Sequence, residues 1–185
     1  DEAVLGRAAR LDEALATVPA VSLFRRTSSL AATPTTQGIS LRAIAPSGAG
    51  RTLVTLDGMP LNDPFGGWVM WSQVAPESLS SLDIVRGAGA GPYGAGALTG
   101  VIALRERDRE GGVLDASVSE DGGRRLAGAT TLKSGRVALT AALQSEQSDG
   151  YIPVRGPAAG AADTRLDLDT LSGALRADVA LDEAT

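Results

Sequence analysis

The sequence predicts an α+β domain, with a small mixed sheet and short helices, followed by a run of antiparallel β-strands. Three observations support this fold class. Residues 39–104 consist of short apolar runs separated by Gly, Pro, Asn and Asp, which is typical of short strands and tight turns. A charged segment from Arg105 to Gly112 then interrupts the chain. Beyond it, apolar and polar residues alternate along several segments, as they do in strands with one buried face.

The N-terminal part is predicted to begin with one helix and several short strands. Leu11 to Val18 has apolar residues at helical spacing, and a proline directly after it ends the helix. Val21 to Phe24 is predicted as a short strand, and Ile39 to Ala43 alternates as a half-buried strand. Thr52 to Leu56 is predicted as a buried strand, and the Asp57–Gly58 pair after it is a strong hairpin-turn signal.

The same domain is predicted to end with another helix and two strands. Pro76 to Leu82 has proline and glutamate in its first turn, which favours a short helix. Asp83 to Val85 and Val101 to Leu104 are the last predicted strands. The charged segment that follows them is the best candidate for a boundary. We therefore divide the chain into domains 1–108 and 109–185.

The C-terminal domain is predicted to contain four alternating strands. They are Leu114–Val118, Leu126–Leu132, Arg136–Glu146 and Leu171–Asp182. Runs of roughly ten residues match a tilted strand that crosses a bilayer with one face in lipid and one in water. Periodicity alone favours a soluble antiparallel sheet with one wet face, and no aromatic girdle flanks the strands. Both interpretations are open at this point.

Composition and charge exclude several functional classes. The 185 residues carry a net charge of -5 and lack the clustered lysines and arginines of a nucleic-acid binder. The chain contains no cysteine and no histidine, which removes thiolate nucleophiles, Cys/His zinc sites and a Ser-His-Asp triad. The aspartates lack EF-hand-like spacing and no metal ligand is assigned, so only a carboxylate-bound Mg²⁺ or Ca²⁺ ion is left open. No apolar run is long enough for a transmembrane helix, and the acidic N-terminus does not resemble a signal peptide.

Two glycine-rich segments resemble phosphate-binding motifs but lack the required context. Gly89–Gly94 fits the GxGxxG pattern, yet the strand at Val101 follows too soon for a crossover helix. Ser47–Thr52 has arginine where a P-loop requires lysine. Asp57 and Asp63 lie beside glycine or proline, so we predict that they bind turn amides rather than form an acid–base pair. The protein is therefore predicted not to be an enzyme.

Large aromatic residues crowd one short segment, DGMPLNDPFGGWVMW, in a chain with 3% aromatic residues. Phe65, Trp68 and Trp71 all lie in it, beside prolines and glycines that oppose a helix. The sequence favours neither packing in the core nor contact with a ligand for these three side chains. Arg42 and Arg86 lie at the ends of predicted strands, where each is either solvated or paired with an acid of another element.

Four motifs in succession resemble a known family. They are SLRA at Ser40–Ala43, RTLVTLDGMPLND at Arg51–Asp63, LDIVRG at Leu82–Gly87 and YGAGALTGVI at Tyr93–Ile102. This succession resembles the plug domain of TonB-dependent outer-membrane receptors, and the resemblance covers residues 11–108. The family usually has glycine where this chain has Ala43, so the turn after that strand is expected to differ.

The resemblance implies a compact plug seated in a 22-stranded transmembrane barrel, in the outer membrane of a Gram-negative cell. Such a receptor binds and imports a scarce ligand, such as an iron chelate or cobalamin, and its plug gates the barrel. The implied partners are the TonB energy-transducing protein, the small-molecule ligand and outer-membrane lipid. No cofactor is implied. The alternative function is a soluble α+β ligand-binding or adhesion module with a β-meander tail.

The resemblance also assigns roles to six residues. Four of them match apical plug loops and are expected to face the ligand: Arg51, Phe65, Trp68 and Trp71. Arg42 and Arg86 match arginines that pair with acids on the barrel wall. The residues after 108 suffice for about four strands, so we expect a truncated barrel. No TonB box is recognisable before Leu11, and the sequence does not identify the ligand.

Overall fold

The computed structural model describes residues 5–6, 9–24, 37–41, 50–87, 93–94, 96–120, 122–152, 154 and 156–181. Its helix and strands are, in chain order, α1 (Leu11–Ala16), β1 (Val21–Leu23), β2 (Ile39–Leu41), β3 (Thr52–Leu56), β4 (Met59–Pro60), β5 (Leu79–Arg86), β6 (Gly100–Glu106), β7 (Gly111–Val118), β8 (Arg124–Ser134), β9 (Val137–Ser148) and β10 (Leu168–Val179). The strands form three sheets, with the orders β1-β2, β4-β3-β6-β5 and β10-β9-β8-β7. No helix within these ranges is long and apolar enough to cross a membrane.

The N-terminal domain is built around its four-stranded sheet, which is mixed as predicted. β3 and β6 are parallel, with Leu56 beside Leu104, whereas β4 and β5 pair antiparallel with their neighbours. The turn between β3 and β4 is Asp57–Gly58, and its residues have φ values of 47° and 84°. Two positive φ values are what a type I′ hairpin turn requires. The hairpin predicted from this pair is confirmed.

One apolar cluster joins the helix to both N-terminal sheets. α1 contributes Leu11 and Leu15, which are four residues apart and therefore share one face of the helix. The largest fully buried aliphatic side chains around them are Ile39, Leu41, Val54, Val69, Leu82, Val101, Ile102 and Leu104. Burial of these aliphatic groups is the main stabilising contribution in a domain that has few aromatic residues.

Two elements of this domain differ from the sequence prediction. Pro76–Ser78 forms a single 3₁₀ turn rather than a helix that reaches Leu82, because the chain from Leu79 onward pairs with β6. Ser40 in β2 is 1% exposed, although the alternating pattern of this strand predicts an exposed side chain at that position. Three sequence features lie wholly or partly outside the described residues: the end of the strand predicted to reach Ala43, and the motifs Ser47–Thr52 and Gly89–Gly94.

The C-terminal sheet is a meander of four antiparallel strands that are 8 to 12 residues long. All four strands predicted from the alternating pattern are present. β8 and β9 are joined by a tight turn at Gly135, which has a φ of 58°, whereas a long connection separates β9 from β10. The sheet is open, with β7 and β10 at its edges. The α+β domain and the antiparallel strands of an unclosed barrel agree with the predicted fold class.

The two faces of this sheet are inverted relative to those of a soluble protein. The face toward the N-terminal domain carries buried polar side chains: Arg125, Thr131, Thr140, Gln144, Glu146 and Ser148. The opposite face carries exposed apolar side chains: Leu114, Leu126, Leu132, Leu139, Leu143, Leu171, Leu175 and Val179. A soluble sheet buries its apolar face and exposes its polar face. The outer surface of this sheet therefore suits an apolar environment.

The start of β6 gives a stability prediction. Gly100 has a φ of 144°, and a Cβ there would overlap the Val85 carbonyl of β5. We expect Gly100→Ala to lower the free energy of unfolding by about 1–3 kcal/mol, the usual cost of such backbone strain. Urea unfolding of the chain in detergent, followed by tryptophan fluorescence, measures the change.

Gly96→Ala is the matched control, because a Cβ at Gly96 would meet only the Leu53 side chain, at an ordinary 3.6 Å. The control should change the free energy of unfolding by no more than about 0.5 kcal/mol. Equal destabilisation by the two substitutions would contradict the packing described for Gly100.

Candidate functional site

Charged side chains join the N-terminal domain to the polar face of the C-terminal sheet. Three arginines make these contacts at three different places: Arg10, Arg125 and Arg176. The first two contacts are buried, and the third is half exposed. Because each of the three contacts includes an ion pair that crosses from one domain to the other, any movement of the N-terminal domain away from the sheet must break that pair.

The first contact joins Arg10, directly before α1, to Glu146 on β9. Arg10 Nε lies 2.9 and 3.1 Å from the two carboxylate oxygens, and Arg10 Nη2 donates to Glu146 Oε2 at 2.7 Å. Both side chains are less than a tenth exposed. Removing one partner of a buried pair leaves an uncompensated charge, at a cost of about 3–5 kcal/mol. This pair therefore fixes the start of the N-terminal domain to the sheet.

The second contact is a network around Arg125 on β8. Its two Nη atoms donate to the two carboxylate oxygens of Glu77, at 2.8 and 2.6 Å, in a bidentate arrangement. Arg125 also donates to Asp115 of β7 and to Gln144 of β9, at 3.0 and 3.1 Å. Gln144 Nε2 in turn donates to the Ser72 carbonyl at 3.1 Å. The network thus binds two separate 3₁₀ turns of the N-terminal domain, Trp71–Gln73 and Pro76–Ser78.

The third contact surrounds Arg176 on β10 with three carboxylates. Arg176 pairs with Asp57 of the hairpin turn, with Glu106 at 3.1 Å and with Asp178 at 2.9 Å. Asp57 occupies the turn position that the sequence predicts, but its carboxylate binds Arg176 and the Glu106 amide rather than the amides of its own turn. The Arg176 side chain is 43% exposed, so solvent and salt screen this contact more than the two buried ones.

The loop after β4 is held in place by two polar side chains. Asp63 Oδ1 accepts hydrogen bonds from the amides of Phe65 and Gly66 at 2.9 and 2.8 Å, which is the turn role predicted for it. The Asn62 side-chain amide bonds three backbone groups of β3 and of the loop. The fixed loop presents the ring of Phe65, which is 98% exposed. An ordered loop with a fully exposed aromatic ring is typical of a binding surface.

Three of the four residues expected to face a ligand lie at one end of the N-terminal domain. Arg51 is exposed directly before β3. A hydrogen bond of 3.1 Å from Gly50 N to Gly67 O holds the aromatic loop beside it. Trp68 is half-buried in the same loop as the exposed Phe65. The cation and the two aromatic residues therefore share one surface.

Trp71 is the exception, and the prediction that it faces a ligand is wrong. Its side chain is 3% exposed, belongs to the apolar core and donates from Nε1 to the Gln37 carbonyl at 3.3 Å. The 3₁₀ turn Trp71–Gln73 places the ring inside the domain, where burial of its large apolar surface stabilises the core. The sequence could not separate Trp71 from Trp68, because the chain between them follows no regular period.

Arg42 and Arg86 are the two arginines that the resemblance expects to pair with acids on a barrel wall. Arg42 lies outside the described residues, and Arg86 is exposed at the end of β5 without an ion pair to another described residue. Their pairing stays a prediction. Arg176 occupies a polar position of the predicted strand Leu171–Asp182, and that placement was the available signal for it. Arg125 lies directly before the predicted strand Leu126–Leu132 and had no such signal.

The sequence matches a protein-family model, that of the TonB-dependent receptor plug domain, over residues 3–101. This match covers more than half of the chain. The chain belongs to that family. Its members are transporters of the Gram-negative outer membrane and not enzymes, as predicted. The N-terminal domain is accordingly a plug, and the C-terminal sheet consists of barrel strands. Among the described residues, no acidic cluster could hold a metal ion.

Solved structures share this fold at low sequence identity. The FrpB iron transporter from Neisseria meningitidis (F3-3 variant) has a TM-score of 0.66 at 17% identity, over 95% of this chain and 27% of that chain. The ferric yersiniabactin uptake receptor FyuA from Yersinia pestis has a TM-score of 0.63 at 19% identity, over 90% of this chain and 26% of that chain. The copper transporter OprC has a TM-score of 0.63 at 19% identity, over 95% of this chain and 26% of that chain. The chain spans about a quarter of the length of these structures, and no curated protein matches it.

The buried network around Arg125 gives a second stability prediction. Arg125→Met should lower the free energy of unfolding by about 3–5 kcal/mol, because Glu77 then stays largely buried without its cation. Urea unfolding of the chain in detergent measures the loss.

Arg105→Met is the control, since Arg105 pairs with Asp83 at 3.8 Å and both side chains are more than half exposed. Such an exposed pair contributes about 0–1 kcal/mol. A loss of the same size for both variants would mean that burial does not determine the strength of these contacts.

Proposed function

We propose that this chain forms the plug and the first barrel strands of a TonB-dependent receptor, which imports a scarce small molecule across the outer membrane. The observation that carries the proposal is the inverted sheet, whose polar face lies against the plug and whose apolar face points outward. Lipid is the environment that such an outer face requires. A soluble binding or adhesion module would expose the opposite face, so the sheet argues against that alternative.

The connections between the strands indicate which end of the plug faces the cell exterior. Outer-membrane barrels have short periplasmic turns and longer extracellular loops. By this rule the turn at Gly135 is periplasmic and the long connection between β9 and β10 is extracellular. Arg176 lies near the periplasmic end of β10, where it holds the Asp57 turn. Arg51, at the opposite end of β3, then faces the cell exterior.

The exposed surface of Arg51, Phe65 and Trp68 is the proposed ligand platform. A guanidinium beside aromatic rings can bind an anionic molecule that has a flat or apolar part. The names of the similar structures include an iron transporter, a ferric yersiniabactin receptor and a copper transporter. These names support metal chelates as the ligand class, with cobalamin as a further candidate. TonB is the proposed source of energy.

Gating in this proposal requires the plug to leave the polar face of the barrel strands. The contacts that must open are ion pairs and hydrogen bonds, which water can replace as the surfaces separate. Arg42 and Arg86 are proposed to add further pairs with barrel strands beyond β10. The half-exposed Arg176 contact should open at the lowest cost, since water already reaches it.

Membrane assembly of the full-length protein tests the proposal. Leu175 is 80% exposed near the middle of β10, so Leu175→Arg should destabilise the membrane-inserted barrel by about 2–4 kcal/mol and reduce its amount in the outer-membrane fraction. Leu181 is also exposed, at 86%, but lies beyond the end of β10. Leu181→Arg should therefore assemble normally. Recovery of the unmodified protein in the soluble periplasmic fraction would contradict the receptor function.

Ligand titration of the full-length receptor tests the platform. Phe65→Ala should weaken binding by about tenfold or more, as truncation of an exposed aromatic anchor does in other interfaces. Binding is measured by isothermal titration with a panel of ferric chelates, a copper chelate and cobalamin. Met59→Ala is the control, because Met59 is also exposed, at 71%, but lies beside the Asp57 turn at the other end of the sheet. If the two variants bind the ligand with equal affinity, Phe65 is not part of the platform.

A further inference from the structure

A small cavity lies beside the Arg10–Glu146 pair, between the plug and the barrel strands. From the plug, its lining includes Arg10, Asp12 and Trp71, and from the strands it includes Gln144 and Glu146. The cavity volume is about 10 Å³, measured for the centre of a water-sized sphere. About 10–15 Å³ on this measure is the room that one water molecule needs. The cavity can therefore hold one water molecule and nothing larger.

Arg10 lines this cavity and also has an unused donor. Its Nε and Nη2 atoms bind Glu146, whereas Nη1 is buried and has no hydrogen-bond partner among the described residues. The residue as a whole is 8% exposed, so bulk solvent does not satisfy this atom. A buried donor without a partner costs about 1–3 kcal/mol, and more when it belongs to a charged group. An acceptor small enough for the cavity would remove this cost.

The lining residues determine what that acceptor is. Asp12 and Glu146 bring two carboxylates, which disfavour a bound anion, and the Arg10 guanidinium disfavours a bound cation. The ligand must accept a hydrogen bond from Arg10 Nη1 and be able to donate to an oxygen of the lining. We propose that one water molecule binds here, between Arg10 and the barrel wall, as a structural component of the plug–barrel contact.

The bound water distinguishes this pair from the buried pair of Arg125 and Glu77. Arg125 also has an unpartnered atom, Nε, but Arg125 does not line this cavity. A water already in place can solvate the Arg10 guanidinium as soon as Glu146 withdraws, so the separated state costs less. The proposal concerns only how the plug packs on the strands, and it does not depend on transport, ligand or TonB.

Radiolytic footprinting of the full-length protein tests the proposal in solution. An X-ray pulse makes hydroxyl radicals from bound water, and these radicals oxidise the side chains next to it. Trp71 is 3% exposed, so it should be oxidised well above the level that its exposure predicts. Arg10→Met removes the donor, and the excess oxidation of Trp71 should be lost while that of half-buried Trp68 stays the same. Equal oxidation of Trp71 in both proteins would overturn the proposal.

A high-resolution crystal structure of the unmodified full-length protein gives an independent test that needs no variant to fold. Ordered density about 2.7–3.2 Å from Arg10 Nη1, within the cavity, would support the bound water. An empty cavity in a structure with ordered waters elsewhere in the plug–barrel interface would overturn it. A protein side chain that fills the cavity would overturn it as well.

Discussion

The polar face of the barrel strands lies against the plug, where its buried side chains find their partners. Arg125 has Glu77, Gln144 has the Ser72 carbonyl, and Glu146 has Arg10. A charge left alone in such a place costs several kcal/mol. Strand alternation puts every second residue on the other side of the sheet, and these outward positions carry the exposed leucines.

The plug has its own apolar core, and its contact with the wall has a different character. The buried core cluster contains residues from Leu5 to Leu104, and none of its members comes from the barrel strands that the structure describes. The contact between the two parts instead includes the ion pairs and hydrogen bonds of Arg10, Arg125 and Arg176. Such an interface separates more readily than a core, since water can satisfy the groups that part. The plug can therefore leave the wall without losing its own fold.

Much of this fold could be predicted from the sequence, and the failures have physical causes. The alternating strands and the Asp57–Gly58 hairpin follow local rules, because side-chain period and backbone φ are fixed by neighbouring residues. The helix predicted at Pro76 failed, because pairing of β5 with β6 overrode a local signal. The prediction that Trp71 faces a ligand was wrong, because the burial of a side chain depends on distant parts of the chain. The bridging role of Arg125 could not be predicted, since its partner Glu77 is 48 residues away.

The measurement that tests this account most directly is the lipid exposure of alternate residues along β9 and β10 in the full-length protein. Single nitroxide labels at Leu143 and Leu171, and at Thr140 and Thr170, would be compared in a reconstituted bilayer. Labels at the two leucines should collide freely with oxygen but not with a water-soluble nickel chelate, and labels at the two threonines should be shielded from lipid. Leucine labels that are reached by the nickel chelate, or no difference between the two sets, would contradict it.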